Sequence, residues 1–212
     1  MLISSMNENF PNTLVIIIKP DVVKQSEIIN KDVVRIFDSK TDETLGFNFL
    51  NVDKVDDSIV GNGFINLSEN QIKKLNNKLS KSGFNPELSL DKNPKFVIGY
   101  VKTIKDHPNS DHLKIAYVDV GEKDLLQIVS GSPNIKSNIN VVVAKNGAVM
   151  PDGKIIWSGK LRGVDSNGMI ASGYELHLKN APTKKGALIL PNDFGTIGSE
   201  FDFNKGNQLF NN

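Results

Sequence analysis

Between residues 96 and 144 the chain repeats one short pattern, a run rich in Val and Ile followed by a cluster of turn-forming residues. The runs cover residues 96–104, 113–120, 125–129 and 139–144, and the clusters are HPNSD, GEKD, SGSPNIKS and KNGAVMPDG. Runs this short and β-branched, bounded by Gly, Pro, Asn and Asp, read as strands rather than helices. Strands arriving at such regular spacing predict a small barrel or sandwich. About 110 residues around a five-strand core suits an OB-fold barrel. That barrel is expected over residues 93–203, with a loose tail at 204–212.

The boundary ahead of the barrel is GFNPELSLDKNPKF, residues 83–96, where Gly83, Pro86 and Pro94 interrupt two patterned regions. Just before it lies the strongest helix signal in the chain. Ser68 can cap a first turn, Gln71 completes a capping box, and Leu67 and Ile72 form a hydrophobic staple. Ile72, Leu75 and Leu79 then share one face, Lys73, Lys74, Lys78 and Lys81 fall elsewhere, and Gly83 ends the helix. Farther upstream, TLVIIIKPD reads as a buried strand ending at Pro20. Residues 32–38 and 45–52 read as two more strands, joined by SKTDET. Residues 1–92 are therefore expected to form a small α+β domain with no grouping of reactive side chains. The whole chain is expected to be an α+β N-terminal domain followed by an all-β OB-fold barrel with a short C-terminal extension.

Composition narrows the function classes. The absence of cysteine excludes disulfides, a thiolate metal site and a thiol nucleophile. The longest apolar run, residues 14–18, is far from the roughly 20 residues of a membrane span. The N-terminus has no signal-peptide pattern, so a cytoplasmic protein without membrane attachment is expected. The net charge of +1 hides a mild asymmetry. Residues 1–92 hold 11 Lys and Arg against 13 Asp and Glu, whereas residues 93–203 hold 13 against 11. A local basic face is permitted in the second half.

Three phrases in that half carry functional groups. In HPNSDHLK, His107, Asp111 and His112 invite a metal reading. Pro108 interrupts any helix that would align them, and a turn stabilised by Asn and Asp side chains is the simpler account. IVSGSPN lacks the Gly-x-Ser-x-Gly nucleophile elbow and reads as a rim turn in which Gly131 supplies backbone freedom. No nucleotide-binding loop, dinucleotide fingerprint or zinc-protease motif occurs, and no cofactor is implied. LRGVDSNGM is different. Arg162 offers a planar fork of donors matched to phosphate. Ser166 offers a small hydroxyl for phosphate or a 2′-OH. Gly163 and Gly168 permit close backbone approach, and Met169 offers an adaptable apolar contact to a base or ribose. Glu175 is expected to orient the following loop.

In this order and spacing, HPNSDHLKIAYVDVG, IVSGSPN and LRGVDSNGMIASGYEL resemble a tRNA-binding OB-fold domain. That domain occurs as a free-standing bacterial protein, at the C-terminus of bacterial methionyl-tRNA synthetase, in the phenylalanyl-tRNA synthetase β chain and in the endothelial monocyte-activating polypeptide. The resemblance covers roughly residues 95–203, and the layout with a preceding domain is similar to the bacterial YtpR-type proteins. It implies non-catalytic, shape-directed tRNA binding near the elbow, through the rim and face of the barrel. Contacts are implied at Asn109, Lys114, Ser166 and Met169, and at Lys145 and Asn146 in another loop; Arg162 is added on physical grounds. It also implies a homodimer joined through the barrel domains. An alternative use of the same surface is docking an aminoacyl-tRNA synthetase or ribosomal partner, with RNA contact secondary. Ser130 and Ala171 stand where the family is expected to carry cysteine, a departure that bears on packing.

Overall fold

The computed structural model describes residues 2–211, which fall into two compact units divided after Lys92. The first contains β1 (Ile3–Asn7), β2 (Phe10–Ile17), β3 (Gln25–Asn30), β4 (Val33–Asp38), β5 (Thr44–Phe49), β6 (Gly63–Phe64) and α1 (Glu69–Lys81). The strands form one antiparallel sheet in the order β3-β4-β5-β2-β1-β6. The unit is thus mostly strand, with a single helix packed on the sheet, and so lies nearer all-β than the expected α+β. Two of its strands carry no legible pattern. All six residues of β3, QSEIIN, are exposed on an edge, so no alternation marks them. β1, ISSMN, is short and largely polar.

The helix begins as its sequence requires. Ser68 Oγ accepts a hydrogen bond from the Gln71 amide at 3.2 Å, and Gln71 Oε1 accepts one from the Ser68 amide at 2.8 Å. Leu67 and Ile72 are both buried beside this cap. The helix ends at Ser82, followed by Gly83 at φ 77°. Its apolar face, Ile72, Leu75 and Leu79, packs with Leu14, Ile16, Phe47 and Phe49. Two of its lysines are committed to the fold. Lys74 Nζ lies 2.9 Å from Asp56 Oδ2, and Lys78 Nζ lies 2.9 Å from Asp32 Oδ2. The Ser58 hydroxyl, then the Lys74 ammonium and the Ser58 amide, hold the Asp56 carboxyl down to about 2.

The second unit contains β7 (Phe96–His107), β8 (Ser110–Asp119), β9 (Leu126–Ser130), β10 (Ile139–Lys145), β11 (Gly159–Leu161), β12 (Val164–Ser166), β13 (Gly168–Ala171), β14 (Ile189–Leu190) and α2 (Phe203–Gly206). Five strands form an antiparallel sheet in the order β13-β10-β7-β8-β9, and β14 pairs with β10. The sheet curls until its ends nearly meet: the amide of Asn167, just before β13, donates to Gln127 O on β9 at 2.9 Å. This is a barrel-like, OB-like arrangement. Its interior is small and aliphatic, with Val97, Val101, Val118, Ile128, Val141 and Val143. A Cβ on Gly99 would lie 2.6 Å from Val143 Cγ2 and 2.8 Å from Val118 Cγ1, so only glycine fits there.

The end of the chain covers the outer face of the sheet, where Ile98, Val142, Ala144 and Ala171 are buried. Phe194 and Phe201 stack with centroids 5.4 Å apart, and Phe203 meets Phe96 edge-on at 5.4 Å. Residues 203–206 form α2, and Leu209 and Phe210 pack on the same cluster. The expectation of a loose tail over 204–212 is therefore corrected as far as residue 211. The few apolar residues of DFNKGNQLF have no periodicity of their own and are placed by their aromatic partners.

Candidate nucleic-acid interface

β11 and β12 form a separate two-stranded ribbon, with Arg162 and Gly163 in its turn at φ 47° and 89°. Consecutive left-handed residues are what a tight hairpin turn needs. An isolated ribbon of this length does not support itself, and this one is fastened at its tip, its base and along its side. At the tip, Arg162 Nη1 donates to Asn109 O at 3.3 Å, and Asn109 Nδ2 donates to Arg162 O at 3.2 Å. His107 lies beneath, buried. Its Nδ1 accepts from the Asn109 amide at 3.0 Å, which leaves Nε2 as the donor to Leu161 O at 3.1 Å.

At the base, the Ser158 amide donates to Asn146 Oδ1 at 3.0 Å. Along the side, Gln127 Nε2 donates to Asp165 O at 2.7 Å. The Val129 amide donates to Ser166 Oγ at 3.1 Å, and that hydroxyl donates to Gly168 O at 3.3 Å. Val164 completes the fastening by closing an apolar patch made by Leu113, Ile115, Tyr117 and Val129.

The residues singled out from sequence thus fall into distinct positions. Asn109, Asn146 and Ser166 spend polar atoms on fastening the ribbon. Arg162 and its neighbour Leu161 are exposed at the tip. Lys145 and Asn146 stand at the end of β10, where Lys145 pairs in register with Gly168, and Met169 is half-buried opposite Ala144. Lys145 and Lys114 are each in an ion pair, with Glu122 and Asp106 respectively. The structure brings Asn109 to Arg162 and brings Lys145 and Asn146 to the start of β13, with the ribbon running between the two groups. Lys114 makes its polar contact with Asp106 rather than with any of the other six. His107, with both ring nitrogens occupied, is a fastening group too, and among the described residues no three His, Cys, Asp or Glu side chains are grouped to hold a metal. No described helix is long and apolar enough to cross a membrane.

A second feature was not anticipated. A cleft of about 470 Å³ opens beside β13, lined by Ser132, Met169, Tyr174, Glu175, Lys184 and Lys185 among others. Next to the cleft, Asn134 of the SGSPN phrase holds the segment that follows Gly186: its Nδ2 donates to Ala187 O at 2.9 Å, and its Oδ1 accepts from the Ala187 amide at 2.7 Å. On one wall Glu175 Oε2 accepts from the Ser172 amide at 2.9 Å and from its hydroxyl at 2.7 Å. Glu175 thereby orients the turn that carries Tyr174. The signal for this cleft in the sequence was PTKKGAL, an adjacent lysine pair bracketed by Pro and Gly.

The geometry defines an OB-like barrel module whose rim carries a fastened hairpin and an open cleft, preceded by a β-rich domain. Residues 96–198 match the family described as "Putative tRNA binding domain", and residues 20–91 match "Domain of unknown function (DUF4479)". The chain is 46% identical over 172 residues to the "Putative tRNA-binding protein YtpR" of Bacillus subtilis, which spans 81% of this chain and 84% of that protein. It belongs to the family of that protein. It is also 43% identical over 147 residues to the phenylalanine–tRNA ligase beta subunit of Oceanobacillus iheyensis, and 39% identical over 144 residues to that of Geobacillus kaustophilus. These matches cover 66% and 65% of this chain but only 18% of each subunit.

Proposed function

We propose that this protein binds tRNA through the rim and face of its OB-fold barrel and performs no chemistry on it. The observation that carries this reading is the fastened ribbon: Arg162 stands exposed on a turn whose position is fixed by Asn109, His107, Asn146 and Ser166. A cation presented on a rigid element meets a phosphate with little ordering cost. The name of the Bacillus subtilis relative, a putative tRNA-binding protein, supports the same reading. Asn109, Asn146 and Ser166 act by shaping the surface, and Arg162 and Met169 by touching RNA. Lys114 and Lys145 join only by exchanging a carboxylate partner for a phosphate.

With a net charge of +1, the protein neutralises few phosphates and binds with modest affinity in the cytoplasm. A homodimer joined through its barrel domains presents two rims and gains by avidity. The test is a titration of the full chain with mixed tRNA at several salt concentrations, with duplex DNA of equal charge as competitor. A complex that weakens with salt and resists the DNA is expected. Equal competition by DNA would leave only generic electrostatics and overturn shape recognition. Sedimentation of the free protein at monomer mass would remove the dimer.

A further inference from the structure

We infer that the cleft beside β13 holds one unpaired nucleotide of the bound RNA, with its phosphate on Lys184 and Lys185 and its base against Tyr174 and Met169. The inference rests on the tRNA-binding reading and deepens it. Its volume of about 470 Å³ lies in the range of small-ligand pockets, roughly 300–1,000 Å³. That accommodates one nucleotide and excludes a stacked duplex.

The cations are the first argument. Lys102, Lys114, Lys145 and Lys160 of the same unit are each paired with a carboxylate. Lys184 and Lys185 are exposed, and among the described residues neither is in an ion pair. A phosphate arriving there displaces no protein partner. Glu175 is the single carboxylate on the lining, and its Oε2 is already held by Ser172. The two lysines outnumber it.

Preorganisation is the second argument. The bidentate grip of Asn134 on Ala187 fixes the segment two residues past the lysine pair. Gly186 backs onto that same side chain, where a Cβ would lie 3.1 Å from Asn134 Oδ1. The lysines are thus carried on a clamped loop rather than a free one, which lowers the ordering cost of binding.

The floor is the third. Tyr174 is 54% exposed on a turn held by the reciprocal Ser172–Glu175 bonds, so a ring face is offered to solvent at a fixed place. Exposed aromatic rings are stacking platforms for unpaired bases of any identity. Met169 supplies an adaptable apolar surface beside it.

The test uses the full chain and two probes, mixed tRNA and a single-stranded RNA hexamer carrying one 2-aminopurine. Wild-type protein should bind both and quench the hexamer's fluorescence, and tRNA should displace the hexamer. Tyr174→Leu should weaken hexamer binding at least about fivefold and abolish the quenching. Lys184→Gln with Lys185→Gln should lower the salt slope for both probes by about one to two. All three side chains are exposed, and thermal melting of the variants checks that the fold is kept. Should tRNA bind both variants as tightly as wild type, or fail to displace the hexamer, the cleft is not part of the RNA site although the tRNA reading stands. Absence of tRNA binding by the wild type would overturn both.

Discussion

Arg162 and Asn109, 53 residues apart in the chain, hold each other by two hydrogen bonds, guanidinium to carbonyl at 3.3 Å and carboxamide to carbonyl at 3.2 Å. Each uses a side chain to grip the other's backbone. One bond occupies one donor of the guanidinium, so most of the fork remains for a phosphate. The turn and the cation are therefore separable, because the second bond needs only the backbone of residue 162.

Arg162→Gly should separate them. Glycine adopts φ 47° without strain and keeps the carbonyl that Asn109 grips. Stability should change by less than about 0.5 kcal/mol, while the salt slope for tRNA falls by about one. Ser166→Ala should behave in the opposite way. It strips the Val129 amide of its acceptor, at a cost of about 1–3 kcal/mol. Urea denaturation and tRNA titration of both variants check this, and unchanged affinity for Arg162→Gly would take the guanidinium out of the site.

His107 invites a metal reading in the sequence and has a fastening role in the fold. His107→Phe keeps the buried volume but removes both polar contacts, to Leu161 O and from the Asn109 amide. Destabilisation of about 1–3 kcal/mol is expected by urea denaturation. An unchanged midpoint would mean that the ribbon does not depend on this residue.

Asp56 gives the first unit an acid dependence of known sign. Its folded pKa is depressed to about 2, so its contribution is fully present above about pH 4, where an unfolded carboxylate is ionised, and is lost as pH falls through about 2. Asp56→Asn should lie below wild type by a constant margin above about pH 4, and the two should converge toward about pH 2. Denaturation midpoints measured across that window check it. A margin that stays constant down to pH 2 would contradict the assignment.

The aromatic cover of the second unit should be worth more than any of these polar contacts. Phe201 is 2% exposed, stacked on Phe194 and edge-on to Phe203. Phe201→Ala should cost about 3–5 kcal/mol, read by thermal or chemical denaturation. A cost below about 1 kcal/mol would show that the segment is dispensable.

The elements legible in the sequence were those whose signal is local. Ser68, Gln71, Leu67 and Ile72 specify the start of α1 within six residues, and the Val and Ile runs specify β7 to β10 by composition alone. Elements fixed by distant partners were not legible. The exposed edge strand β3 is defined only by pairing with β4, and the final segment only by aromatic contacts made across the unit. The site divides in the same way. Arg162 is a candidate from its chemistry alone, and the fold adds that it is exposed at the ribbon's tip. That Asn109 and Asn146 are fasteners depends on partners 53 and 12 residues away. PTKKGAL marks the lysine pair beside the cleft, but the grip of Asn134 on Ala187 that holds that segment joins residues 53 apart and has no local pattern.

The aromatic cover also sets an order of events during synthesis. The first unit ends at Lys92 and can fold while the rest of the chain is still being made. The barrel strands close with β13 at Ala171, yet the aromatic part of the cover over Val142, Ala144 and Ala171 is completed only when Phe194, Phe201 and finally Phe210 have left the ribosome. During that interval the cover over Val142, Ala144 and Ala171 is incomplete, and incompletely covered apolar surface of this kind favours association with other chains.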